Sequence, residues 1–355
     1  MINARLFSAA AVALLSSLLS SPAAAQWLDY PTPGIPRLPD GKPNLSAPAP
    51  RTPDGKPDLS GIWRGAGPIY RFNIAQDLKT EDIQPWAEAL FLKRVRDSRK
   101  DSPLARCLPV SVPFHNFFNL TRLVQTPGLM VVLYESPNSP HRMVFTDGRD
   151  LPKDPNPTWL GYSIGRWEGD TLVITTAGFN DRGWLDSAGH PQTESLRVTE
   201  RLRRRDFGHM EFEITIDDPK VFVRPFTIKA VRLLATDTEI LEDVCENESD
   251  GKHLSGDSGI RLSPELLATY AGAYELAGRE VVIAATGDLL FVQGLNEPKL
   301  PLLVQSETQF MSTATPTGFE FVKDAQGKVT HLLIRGEGGT QRASRKNAPS
   351  PAPRR

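Results

Sequence analysis

Pro157 to Arg204 reads PTWLGYSIGRWEGDTLVITTAGFNDRGWLDSAGHPQTESLRVTERLRR, and this stretch decides the fold class. Gly161 to Trp167 is β-rich, Glu168-Gly169-Asp170 is a turn, and Thr171 to Thr176 continues as a second strand. A glycine in the turn supplies the positive φ that a tight hairpin demands. Ala177 to Thr193 then carries Asn180, Asp181, Arg182, Trp184, Asp186 and His190 in one connection before a third strand begins. Connections of that length in compact domains are usually functional or disordered, and the tryptophan content argues against disorder.

Downstream and upstream of this hairpin the pattern is of short strands. Arg122–Gln125, Leu129–Glu135, His141–Thr146, Tyr162–Trp167, Thr171–Thr176, Ser195–Arg204, His209–Ile216, Thr227–Leu234 and Glu239–Val244 follow one another with turn residues between them. The expected fold is all-β: a calycin-like, up-and-down antiparallel barrel opening at Gly61-Ile62-Trp63. One helix, Thr80 to Asp97, carries an apolar stripe of Ile83, Trp86, Ala87, Leu90 and Val95 and is expected to pack on that barrel. A second, smaller lipocalin-like barrel is expected after a helix start at Ser263-Pro264-Glu265, with strands at Val281–Ala284, Leu289–Gln293, Leu300–Val304, Gln309–Ser312, Phe319–Val322 and Val329–Ile334.

The ends of the chain read differently. Arg5, the apolar run Leu6 to Leu19 and Ala23-Ala24-Ala25 have the form of a cleaved secretory leader, which implies a periplasmic or secreted protein. Of the 355 residues, about 330 would remain, enough for two domains. The organisation expected is a leader at 1–25, a Pro-rich extended arm at 26–57, the first barrel at 58–248, a link at 249–260, the small barrel at 261–335 and a disordered basic tail at 336–355. Within the arm, Pro39-Asp40-Gly41-Lys42-Pro43 recurs as Pro53-Asp54-Gly55-Lys56-Pro57, which reads as a repeated surface turn.

Composition excludes several classes. Forty-one basic against 42 acidic residues leave no basic excess for nucleic acid, and no later apolar run is long enough for an integral membrane segment. The two cysteines, Cys107 and Cys245, are expected to form one long-range disulfide in an oxidising compartment. No P-loop, dinucleotide fingerprint, Gly-x-Ser-x-Gly or His-Glu-x-x-His is present, and His115, His209, His253 and His331 lack ligand spacing. Neither a cofactor nor a metal is expected. The oligomeric state is left open.

Two resemblances rest on specific motifs. Tyr270-Ala271-Gly272-Ala273-Tyr274, Gly287-Asp288-Leu289-Leu290, Phe310 and Phe321 to Gly327 resemble the small lipocalin-like barrel appended to penicillin-binding-protein-like serine hydrolases. That resemblance implies an accessory module and brings no catalytic residue. Thr52 to Gly61, Cys107-Leu108-Pro109, Trp167 to Val173, Gly178-Phe179-Asn180-Asp181, Trp184-Leu185-Asp186, Gly189-His190-Pro191, Val198 to Arg201 and Cys245-Glu246-Asn247 together resemble a family of exported bacterial proteins. It implies no particular activity. Its relatives commonly carry a second histidine where this chain has Gln192, which counts against a two-histidine site.

The candidate site follows from side-chain chemistry. Pro191 pushes His190 into an extended conformation, and Asp186 and Glu194 flank it at four residues. A histidine so placed can be oriented by a carboxylate for acid/base work, or the loop can simply be tied by polar bonds. Glu200 shares the apolar face of its strand with Leu196, Val198 and Leu202, so it must be paired, to Arg142 or Arg232, or act as a second titrating group. Tyr162, Trp167 and Trp184, with Asn180 and Asp181, are the expected substrate contacts, and aromatics in a barrel mouth suit sugars or apolar rings. The expected function is cofactor-independent acid/base chemistry (lyase, isomerase or hydrolase) on a small apolar, aromatic or sugar-like compound, through His190, Asp186 and Glu200. The alternative is a non-catalytic ligand-binding or envelope interaction module.

Overall fold

The computed structural model describes residues 31–118, 120–136, 141–242, 245, 260–294, 299–312, 317–336 and 339–346. The leader expected at 1–25 and nearly all of the link at 249–260 lie outside the described residues.

Alternating apolar residues build the first sheet. Its strands are β1 (Gly61–Trp63), β2 (Thr121–Thr126), β3 (Leu129–Tyr134), β4 (His141–Phe145), β5 (Tyr162–Glu168), β6 (Thr171–Ala177), β7 (Arg197–Arg204), β8 (His209–Asp217) and β9 (Phe226–Leu233), in sequential spatial order. Leu172, Ile174, Val198, Leu202, Phe212 and Ile214 point inward and are buried, while Arg203 pairs with Glu211 on the solvated face. A bridge between Trp63 and Leu234, with Arg64 donating to the Leu233 carbonyl at 2.9 Å, brings the two edge strands together.

The up-and-down expectation needs one correction, because β4 and β5 run parallel. The edges of this nine-stranded sheet meet antiparallel at the Trp63–Leu234 bridge, and nine strands cannot alternate direction all the way round, so one neighbouring pair must be parallel. The segment between Phe145 and Tyr162 therefore turns the chain back to enter β5 in the direction of β4 instead of making a hairpin. The strand expected at Glu239–Val244 does not form over residues 239–242. Side chains hold that segment instead: Arg122 meets Glu239 at 3.0 Å and Glu135 accepts from the Leu241 amide.

Helix α1 (Pro85–Arg96) starts later than expected. Ile83 bridges Phe222 and the Gln84 amide donates to the Val221 carbonyl, so these residues stay extended and Pro85 takes the first helical position. A short helix the sequence did not announce, α2 (Val112–Phe118), is buried along most of its length and plugs the first barrel.

The arm lies on the barrel. Each copy of its repeat closes a turn, Arg37 with Pro43 and Arg51 with Pro57, and each arginine reaches a distant carboxylate: Asp237 from Arg37, Asp170 from Arg51. The amides of Phe207 and Gly208 donate to the carbonyls of Ala47 and Leu45, and Leu45 packs where any side chain on Gly208 would stand.

In the second unit, Ser263 caps α3 (Pro264–Tyr270) by accepting from the Leu266 amide at 3.2 Å. Eight strands then close a barrel: β10 (Gly272–Leu276), β11 (Arg279–Thr286), β12 (Leu289–Gly294), β13 (Leu300–Val304), β14 (Gln309–Ser312), β15 (Gly318–Lys323), β16 (Val329–Gly336) and β17 (Gly339–Arg345). Strand β17 corrects the disordered tail expected from residue 336. It pairs with β16 and β10, buries Ala343, and Arg345 donates to the carbonyls of Thr269 and Ala271. Without it β10 would present an open edge. Phe91, Val95 and Ala188 pack against Leu289 and Phe291 between the two units, beside an Arg96–Asp288 pair at 2.7 Å.

Cys107 and Cys245 are disulfide-bonded, with Cα atoms 5.6 Å apart. The bond ties the chain before α2 to the segment beyond β9. The disulfide fits an oxidising compartment. Among the described residues no helix is long and apolar enough to cross a membrane.

Candidate functional site

Asp186 and His190 meet as expected. The connection between β6 and β7 turns back on itself, with the Leu185 amide donating to the His190 carbonyl and Trp184 bridging Pro191. Both oxygens of Asp186 are occupied. Oδ1 accepts from the amides of Gly189 and His190 at 3.0 and 3.1 Å, and Oδ2 accepts from the Ile74 amide at 3.0 Å and lies 2.8 Å from His190 Nδ1. Burial would raise this carboxyl, but the charge and hydrogen bond of His190 and the amide donors hold it below the ordinary carboxylate value. His190 is 2 % exposed and its ring stacks on Phe91 of α1 at 4.1 Å.

Cations line the same loop. Arg94 lies 4.3 Å over Trp184 and donates to the Gly189 carbonyl; Arg99 lies over Phe72 and donates to the Ser187 carbonyl. Burial lowers both guanidinium groups to about 10, with Asp186 pulling the other way. One turn before Phe91 on α1, Glu88 is raised by burial against the pull of His190 and Lys299. Lys299, from the second unit, is lowered by burial and lies over Phe291. Glu88 and Lys299 were not anticipated. Phe91, three residues after Glu88 and on the buried face with Ala87 and Val95, is absent from the expected stripe, and with it the available signal for Glu88; Lys299 has none.

Glu200 does not join this group. It is 2 % exposed inside the first barrel, where Arg142 donates to Oε2 at 2.6 Å and Asn116 of α2 to Oε1 at 2.8 Å. Arg142 also donates to Ser163 Oγ and Thr176 Oγ1, so the carboxylate sits in a closed network. Burial acts to lower Arg142, but Glu200 and Tyr134 hold it above the usual guanidinium value. Of the two partners the sequence allowed, Arg142 is the one that binds.

No family model matches the chain, and no curated protein matches it significantly. The functional reading therefore rests on side-chain geometry.

The expected substrate contacts do not form one cluster. Trp167 and Tyr162 stand at opposite ends of β5, about 17 Å apart at strand rise, and an odd separation puts them on opposite faces. Trp167 packs on the inner core, whereas Tyr162 stacks on Phe145 and accepts from Arg149 on the outer face. Trp184 is buried under Arg94. Asn180 makes a local turn by accepting from the Arg182 amide, and Asp181 is exposed. Beside them a groove of about 380 Å³ opens between the Pro152–Pro157 segment and Gly178, Phe179, Glu194 and Arg197. Among the described residues, no group of three or more His, Cys, Asp or Glu is placed to hold a metal.

Proposed function

We propose that the chain is an exported, non-catalytic binding module of the cell envelope, with a small sugar-like ligand seated in the groove beside the β6–β7 connection. The observation that carries this reading is the saturation of the expected catalytic carboxylates. Asp186 accepts four hydrogen bonds and Glu200 is tied to Arg142 and Asn116, both out of reach of solvent. Carboxylates so committed rigidify a loop and a barrel interior. The groove, by contrast, is open, has the volume of a small-molecule site, and mixes proline faces with Lys153, Asp154, Glu194 and Arg197. Ring faces with carboxylates and a guanidinium suit a polyhydroxylated compound. Export rests on the leader-like first 25 residues, and the second barrel serves as an accessory unit.

A specific observation favours acid/base chemistry as a second reading. Asp186 holds His190 by Nδ1, and Glu88, raised by burial, lies within electrostatic reach of the same ring. That pairing is the kind that moves a proton, and it would work at the seam between the two units. Isothermal titration of the mature protein against a panel of sugars separates the readings. The binding module takes up a ligand that is recovered unchanged, and Arg197→Ala lowers affinity about tenfold while His190→Gln leaves it intact. Conversion of the ligand by the wild type contradicts it.

A further inference from the structure

The interior of the first barrel carries an unbalanced charge. Arg142 and Glu200 neutralise one another, and Arg204, at the other end, is satisfied by the carbonyls of Asp58, Ser60 and Phe207. Arg232 is different. It projects inward from β9 at 2 % exposure, donates from Nε to the Arg64 carbonyl at 3.1 Å, and lies 5.9 Å over Phe212. Its Nη2 has no hydrogen-bond partner among the described residues. Tyr134 and Glu200 are the anionic and polar groups near enough to act on it, and the Glu200 oxygens are already taken by Arg142 and Asn116.

Two buried hydroxyls on facing strands of the same barrel, Tyr134 and Thr121, make no hydrogen bond of good geometry among the described residues, and Tyr134 acts electrostatically on Arg232. Tyr134, stacked on His115 at 4.0 Å, lies against Arg142, and Thr121 faces it directly across the β2–β3 register. A guanidinium removed from water without a counter-charge is costly, and a native barrel keeps one only where something compensates it. A trapped water would give Nη2 an acceptor but would leave the charge unbalanced.

We propose that the first barrel binds one small monovalent anion, of halide size, between Arg232 Nη2 and the Tyr134 hydroxyl. The surrounding core is packed with Phe117, Phe212 and Met130, an apolar setting that favours a small anion over a large, strongly hydrated one. The site is independent of the groove and of the Asp186–His190 pair.

Chloride itself is the probe. The mature protein is melted at constant ionic strength while chloride replaces methanesulfonate, and ³⁵Cl line width is followed with bromide as competitor. Above the dissociation constant, each tenfold rise in chloride should lift Tm by roughly 3–5 °C. The protein should also broaden the ³⁵Cl line, and bromide should reverse that. Arg232→Met should abolish both effects. Tyr134→Phe, which keeps the ring and removes one donor, should weaken chloride binding roughly 2- to 10-fold and serves where the Met variant does not fold. Equal Tm in both salts with no ³⁵Cl broadening overturns the proposal in favour of water. Broadening that survives in Arg232→Met, or is unchanged in Tyr134→Phe, overturns it by moving the anion elsewhere.

Discussion

Glu200 and Arg142 meet at 2.6 Å with side chains 3 % exposed, so the loss of either charge strands the other in the barrel. Glu200→Gln should therefore cost about 3–5 kcal/mol in urea unfolding. The double change Glu200→Leu with Arg142→Met should recover part of that loss, since apolar residues remove the cost of desolvating the pair while Asn116 loses its acceptor. A double variant as unstable as the single one would show that the pair does more than balance charge. Asp186 gives a pH signature. Its folded carboxyl lies below the unfolded value, so the folded state binds fewer protons, and its stabilisation is complete above roughly pH 4. That contribution is lost as pH falls through the folded value. Asp186→Asn should lower stability at neutral pH and flatten the acid limb of a urea series; an unchanged acid limb would refute the assignment.

Elements show where sequence patterns suffice. Alternation located most of the strands, because a barrel strand with one face inside must read apolar at every second residue. Patterns failed where long-range partners decide. Gly339–Arg345 looks like a basic tail, yet it completes the second barrel because β10 needs an edge. The α2 segment is only seven residues, VPFHNFF, buried on nearly every side with its polar His115 and Asn116 facing inward too, so no amphipathic period marks it. The Arg37 and Arg51 ties were legible had the repeat been extended upstream to the arginine that precedes each copy. Of the site, the Asp186–His190 pair was readable from spacing, and the Glu200–Arg142 pair from strand parity; the scattering of Tyr162, Trp167 and Trp184 follows from parity and strand length too. Truncation after Gly336 should strip amide protection from β10 and β16 in hydrogen exchange while β7 and β8 keep theirs. Gly161, at φ +67 with Thr176 Cγ2 2.8 Å from where a Cβ would stand, should lose more than about 1 kcal/mol on change to Ala.

The whole molecule is two barrels joined at a packed seam, with the arm and the disulfide bracing the first of them. The Cys107–Cys245 bond closes a span of 138 residues, so replacing both cysteines by serine should cost about 2–5 kcal/mol in unfolding under oxidising conditions. The central claim concerns what such a scaffold does with the groove beside its β6–β7 connection. The most direct measurement incubates a sugar that titrates into the mature protein with excess enzyme-grade wild type and His190→Gln, and follows its proton spectrum over a day. The account predicts an unaltered spectrum with both proteins and equal affinity for both, with loss of affinity confined to Arg197→Ala. Conversion by the wild type, slowed by about two to four orders of magnitude in His190→Gln, would contradict it and make the Asp186–His190 pair an acid/base centre.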